Sequence, residues 1–291
     1  MRNVRLSVPE DVPAQRELWT LAFGDSGAYV DNFYDRYYRP ERMLVLEEDG
    51  LVRAMTAWFD TTFVVPGQGE YRAAYLYAVA THPDCRGRGL AGELLAGADD
   101  YFRSLEIPAV TTVPAEPSLH QFFGANGFRE CFQLFEGKLS TAELPAAKGG
   151  PVFRPVSPQM YGQFREGLLR NTPHIAYPVD ALEYQEGCCL LSGGGLYLGD
   201  TPAGPVCLCV EGAGDGRMVV KEILGSPTAK RLSLPDLPRV APARTWLVRE
   251  PLWDAPGGSG GWTFAMLKWL EKDCAERWDW ASTAYLGLAF D

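Results

Sequence analysis

Apolar and polar positions alternate along much of the chain and switch in places to three-to-four spacing, and the two periods predict its elements. The opening stretch "VRLSVPEDVPAQRELWTLAFG" reads as a short strand, a turn holding two prolines, and a helix with Leu18, Leu21 and Ala22 on one face. "MLVLEEDGLVRAMTAWFDTTFVV" gives two strands joined at Asp49-Gly50, a dipeptide suited to the left-handed backbone of a tight hairpin. After "GQGE", the run "YRAAYLYAVATHP" is a long strand that leads through glycines into a helix whose Leu90, Leu94, Ala98, Phe102 and Leu105 share a face. "PAVTTVPA" is then a short buried strand, "SLHQFFGANG" a short helix and "FRECFQLFEGKL" a closing strand. The order β-α-β-β-β-α-β-α-β predicts an α/β domain with a mixed sheet over residues 1–142.

"ELPAAKGGP" has the proline, glycine and small residues of a linker, so a second, smaller α/β or α+β domain is expected over residues 152–291. Its pattern predicts a helix in "SPQMYGQFREGLLRN" and strands in "CCLLS", "PVCLCVEG" and "RMVVKEIL". A proline-rich stretch precedes a helix in "WTFAMLKWLEKDCAERW", and the apolar tail "STAYLGLAFD" is expected to dock. "SGGGLYLG" and "APGGSGG" read as flexible loops.

Composition narrows the function classes. A formal charge of −10 argues against a nucleic-acid partner, which requires a basic face. No apolar run reaches the roughly 20 residues of a membrane helix, and the first residues carry no signal-peptide core, so a cytoplasmic protein is expected. The seven cysteines lack paired metal-ligand spacing, so no metal is expected and the thiols are read as reduced and mostly buried.

The candidate chemistry lies in "ATHPDCRGRGLAGELL". Most helices open on Ser, Thr, Asp or Asn, whose oxygen satisfies an orphan backbone donor, and this one offers two glycines and two arginines instead. Amides of Arg88, Gly89, Leu90 and Ala91 would point outward at the positive end of the helix dipole, where a phosphate would satisfy them. Gly87 and Gly89 place no Cβ in the way, and Arg86 and Arg88 add charge.

Arg86-Gly87-Arg88-Gly89-Leu90-Ala91 resembles the R/Q-x-x-G-x-G/A signature of the GNAT acetyltransferase superfamily, with the preceding strand and "V-A-T-H-P" lead-in, and "SLHQFFGANGF" is similar to that family's downstream helix and closing G-F. The resemblance spans residues 1 to about 140. It implies acetyl-coenzyme A as co-substrate, its diphosphate on the backbone from Arg86 to Ala91 and its pantetheine arm along Val79, Ala80 and Thr81. The Val79 amide matches the position that hydrogen-bonds the thioester carbonyl. A primary amine of a small molecule or peptide is the implied acceptor. The tyrosine that serves many relatives as acid falls at Phe123, which holds no proton to give. This leaves open either an active enzyme or a catalytically silent acyl-CoA sensor.

Tyr75 and Tyr77 share a strand face and are candidate substitutes, against a reading as sheet packing. His82 is weighed as a turn residue, His120 as an exposed histidine, Glu116 as a helix opener and Cys85 as an exposed, oxidation-sensitive thiol. The second half carries no second R-x-x-G-x-G. It loosely resembles two-domain GNAT proteins with a degenerate C-terminal half, such as the enhanced intracellular survival type, where a terminal carboxylate acting as base would correspond to Asp291. Such a half would wall off the acceptor pocket.

Overall fold

A computed structural model describes residues 1–150, 152–254 and 261–290. In chain order the elements are β1 (Arg2–Leu6), α1 (Val12–Phe23), α2 (Gly27–Arg36), β2 (Met43–Glu48), β3 (Leu51–Val65), β4 (Gly69–Thr81), α3 (Leu90–Ser104), β5 (Ala109–Thr112), α4 (Pro117–Ala125) and β6 (Arg129–Ser140). They continue as β7 (Phe153–Pro155), α5 (Pro158–Leu169), β8 (His174–Ala176), α6 (Val179–Leu191), β9 (Gly195–Thr201), β10 (Gly204–Gly212), β11 (Arg217–Leu224), α7 (Pro227–Ser233), α8 (Leu237–Val240), β12 (Thr245–Pro251), β13 (Trp262–Trp269) and α9 (Lys272–Arg277). No helix among them is long and apolar enough to cross a membrane.

The chain packs as two compact units: residues 1–131 with 265–282, and residues 132–264 with 283–291. In the first, the sheet order is β1-β2-β3-β4-β5-β13, antiparallel except for the parallel β4–β5 pair, which makes the sheet mixed as expected. Asp49 and Gly50, at φ 53° and 81°, form the β2–β3 turn as the sequence predicts. One face of the sheet carries α3: Leu90, Leu94, Leu95, Ala98 and Phe102 bury against Leu44, Leu46, Trp58 and Leu76. Leu105 is 37% exposed, because it lies beyond the last helical turn. The other face carries α1 and α2, where Trp19 and Phe33 meet each other and Tyr77 edge-on or tilted, and Tyr77 in turn meets Phe59.

α2 is absent from the expected order, although Ser26 caps it by accepting the Tyr29 N–H and Val30 and Phe33 bury at helical spacing. On α1 the buried stripe is Gln15, Leu18 and Trp19, while Leu21 points outward. "WTFAMLKW" is not helical. It forms β13, pairing Met266 with Thr112 and Trp269 with Ala109, and only Lys272–Arg277 coil after it. The buried edge of β5 needs a strand, and the apolar run supplies one, overriding its helix-like composition.

The second unit orders its strands β6-β12-β11-β10-β9-β7, with β11–β12 parallel and the rest antiparallel. The path β7-β9-β10-β11-β12 thus repeats β1-β2-β3-β4-β5, including the single parallel step after a helical crossover. "CCLLS" belongs to α6 instead of a strand, since a short apolar run has no period of its own. "SGGGLYLG" is no flexible loop. It closes α6 and enters β9, and a Cβ on Gly194 would sit 1.9 Å from the Val210 carbonyl oxygen.

The tail docks as expected, with every residue from Ala284 to Phe290 buried and Gly287 in the left-handed region at φ 74°. Tyr285 exchanges backbone hydrogen bonds with Pro173 and Ile175 at 2.8 and 2.9 Å. Arg165, fully buried, donates to both oxygens of Glu222 at 3.0 Å and to the carbonyls of Ile175 and Leu286. Burial disfavours the guanidinium's charge, but Glu222 and Glu166 outweigh it and keep Arg165 protonated. Asp291 and residues 255–260 of "APGGSGG" lie outside the described residues.

Candidate functional site

In the β3–β4 ladder Ala57 faces Tyr77 and Met55 faces Ala80, so Ala78 and Val79 together oppose Thr56. This is a β-bulge, and Ala78 sits in it at φ 51°, a left-handed conformation that costs a non-glycine residue about 1–2 kcal/mol. On the opposite edge, among the described residues, the parallel β4–β5 ladder runs from Ala73↔Ala109 to Leu76↔Thr112 and ends there. From Tyr77 to Thr81 that edge of β4 has left the sheet, one residue short of the bulge. Bulge and splay together present Val79, Ala80 and Thr81 as a strand edge that an extended ligand can pair with.

The chain then turns over His82, whose Nδ1 accepts the Asp84 N–H at 3.3 Å, in agreement with its reading as a turn residue. Arg86 is exposed and reaches back to the Thr81 carbonyl at 3.4 Å. Gly87 and Gly89 stand at φ 73° and 81°, and a Cβ on either would meet nothing within 4 Å. Gly89 caps α3 without any side-chain hydrogen bond, its carbonyl accepting the Glu93 N–H at 3.1 Å. Leu90 anchors the helix in the core at 1% exposure, and Ala91 is half-buried behind it. The mouth of the helix is therefore open, positively polarised and uncapped.

The corresponding crossover of the second unit differs in this respect. There Ser226 accepts the Ala229 N–H at 3.1 Å and closes α7 with the chain's own oxygen. A Cβ on Gly225, just before it, would press on the Pro205 carbonyl at 2.9 Å. The second helix mouth is closed and crowded where the first is open.

Phe123 is 4% exposed in the cluster that also holds Leu90 and Leu94, with Val79 packed against it. Its ring lies 5.2 Å from Phe122 and 5.4 Å from Phe128. Tyr77 is on the other face, 5.5 Å from Trp19 and 5.3 Å from Phe59, and Tyr75 lies 6.0 Å from Phe59 on that same face. The structure thus brings Val79, Leu90 and Phe123 together on the α3 side and sets Tyr77 with α1 and α2. Glu116 stands at the N-cap position of α4 before Pro117, and its carboxylate accepts from the Ser118 hydroxyl at 2.6 Å and caps no backbone N–H.

Two expectations are corrected. Cys85 is buried at 4%, because its side chain turns under the loop into the α3 core. His120 is not free on the surface, since its Nδ1 lies 2.8 Å from Glu130 Oε1. A further contact has no sequence signal: Arg88 Nη2 donates to Glu48 Oε1 at 2.7 Å across 40 residues.

A family model described as the acetyltransferase (GNAT) domain matches residues 3–127. No curated protein sequence matches the chain. Among solved structures, a GCN5-related N-acetyltransferase from Anabaena variabilis ATCC 29413 superposes with a TM-score of 0.70 at 16% identity, over 93% of this chain and 73% of that one. Eis1 from Mycobacterium abscessus gives 0.67 at 13% identity, over 94% and 75%. A GCN5-related N-acetyltransferase from Kribbella flavida gives 0.67 at 17% identity, over 92% and 70%. At such identities the likeness is one of fold. The family model identifies residues 3–127 as an acetyltransferase (GNAT) domain, and the bulged and splayed β4 with the architecture shared with these solved structures gives the chain a GNAT fold.

Proposed function

We propose that the chain transfers an acetyl group from acetyl-CoA to a primary amine of a small molecule or peptide in the cytoplasm. The transfer centre lies in the first unit, residues 1–131 with 265–282, and the second unit, residues 132–264 with 283–291, is a divergent half. The observation that carries this reading is the uncapped mouth of α3 between two left-handed glycines, directly after the strand edge released by β5. Main-chain amides from Arg86 to Ala91 suit a diphosphate, and the open space at both glycines lets a bulky anion approach the backbone.

Acetyl-CoA, when bound, supplies the activated acetyl thioester. Val79, Ala80 and Thr81 align its arm through backbone hydrogen bonds. The Val79 amide donates to the thioester carbonyl and stabilises negative charge on that oxygen as the amine attacks, a contribution of about 2.7–4 kcal/mol per donor in other enzymes. An alkylamine with a pKa near 10.4 is almost wholly protonated at pH 7, so turnover rises with pH until the neutral amine predominates. Phe123 packs in the core against Phe122 and Phe128 and returns no proton. A thiolate, with a pKa of about 8.5 by analogy with cysteine, departs without a dedicated acid.

A second reading, a sensor that binds acyl-CoA and transfers nothing, draws on Phe123 alone. Release of free CoA thiol from acetyl-CoA across a panel of amines separates the two: the enzyme reading expects amine-dependent release, and tight calorimetric binding with no release would favour the sensor. On an identified acceptor, Phe123→Tyr is expected to raise turnover by about tenfold, short of the roughly 10²- to 10⁴-fold that an optimally positioned acid contributes. Unchanged turnover would mean that another group already protonates the thiolate.

A further inference from the structure

Arg88 sits between Gly87 and Gly89, both at positive φ, so its backbone does little to fix where its side chain points. The side chain's own contacts do so. Nη2 donates to Glu48 Oε1 at 2.7 Å, and Nη1 approaches the buried Cys85 sulfur at 3.6 Å. Glu48 is well placed to act as an anchor. It ends β2, stands directly opposite Arg2 in the β1–β2 register, and its side chain is 15% exposed against 44% for Arg88. The same Glu48 oxygen also accepts from Arg2 Nε at 3.0 Å, and Arg2 Nη1 donates to Glu93 Oε2 at 3.2 Å in the first turn of α3.

These four side chains form a line of alternating charge, Arg88-Glu48-Arg2-Glu93, around the mouth of α3. Two guanidiniums neutralise the two carboxylates, so Glu48 repels an incoming anion far less than an isolated carboxylate would. Exposed ion pairs add little to stability, so folding alone gives this line small purpose. A guanidinium carries five donors in a rigid plane, and Glu48 engages one of them.

We propose that Glu48 is a positioning residue that holds the Arg88 guanidinium in one orientation at the mouth of α3, so that its remaining donors meet the phosphates of the bound carrier. This rests on the reading of that loop as a diphosphate site. Fixing a long charged side chain in advance removes an entropic cost that binding would otherwise meet, which corresponds to a factor of about 3 to 10 in affinity.

The test is isothermal titration calorimetry of CoA and of pantetheine, which lacks the phosphates, against the wild-type chain, E48Q, R88A and the double variant. E48Q is expected to weaken CoA binding about 3- to 10-fold, to leave pantetheine binding unchanged, and to have no further effect once Arg88 is alanine. Tighter CoA binding by E48Q would show Glu48 to be a competitor of the phosphates and overturn the proposal. So would an equal loss with and without Arg88, or an equal loss for pantetheine, either of which marks a merely structural role. Wild-type protein that binds no CoA overturns the diphosphate reading itself, whereas binding without coupling overturns only the pairing of Glu48 with Arg88.

Discussion

Ala78 shows most directly how a single residue is shaped by its surroundings. It is held at φ 51° by a bulge that turns the next residue, Val79, away from the β3 ladder, and the strain is sustained by the long β3–β4 pairing on either side. Asp11 is another residue with more than one partner. Arg5 donates to it from both terminal nitrogens, at 2.7 and 2.9 Å, and the Val8 N–H adds a third hydrogen bond at 2.9 Å. These contacts, the Arg5 hydrogen bonds foremost, hold its carboxyl below the ordinary value of 3.8. A carboxyl lowered on folding adds stability above its unfolded pKa and loses it as pH falls through the folded one. Urea unfolding of wild type and Asp11→Asn should therefore diverge at pH 7 and converge below about pH 4, and a constant gap would remove Asp11 from the acid response. Residue-scale chemistry was partly legible. His82 has the turn role that its neighbour Pro83 announces, and Glu116 stands where Pro117 announces a helix start, because such placements depend on local backbone. Cys85 and His120 were misread, because what buries or pairs a side chain comes from distant segments.

At the scale of elements the two helix mouths invite comparison. α3 begins on a glycine with no side-chain cap, and α7 begins on Ser226 with one. Opposite consequences follow for substitution. Ser226→Ala removes the cap and should cost about 1 kcal/mol of stability, read as a lower midpoint in thermal unfolding, with no change in CoA affinity. Gly89→Ala meets no steric neighbour, so its penalty is conformational, about 1–2 kcal/mol for the left-handed backbone, and CoA affinity should fall with it. If both variants altered CoA affinity equally, the contrast between open and closed mouths would be void. Elements with a clear period or a cap were legible: the Asp49-Gly50 hairpin, α3, α4, β10 and β11 all lie where the pattern puts them. "CCLLS" and "WTFAMLKW" were not, since a short apolar run suits helix and strand equally and its sheet neighbours decide.

The whole molecule is built from two units whose boundaries do not follow the order of the chain. β13 and α9 come late in the sequence yet complete the first unit, where Trp269 and Trp278 pack on Phe63 and Lys268 binds Asp99 and the Asn126 carbonyl. A fragment of residues 1–131 lacks the strand that covers the outer edge of β5, and it should be poorly folded, with weak near-ultraviolet circular dichroism and no cooperative melt. A cooperative melt would show that the edge tolerates exposure. Taken alone, the sequence determined what depends on near neighbours: a mixed α/β first domain, a strand leading through two glycines to an uncapped helix, an apolar tail that docks, and Phe123 at the position of the usual acid. Tertiary structure decided what depends on residues far apart in the chain. It ended the β4–β5 ladder at Leu76, gave β5 its neighbour from residues 262–269, and brought Glu48 to Arg88. Periodicity and capping act within a few residues and are written locally, whereas strand pairing and side-chain ion pairs join positions whose separation carries no local trace.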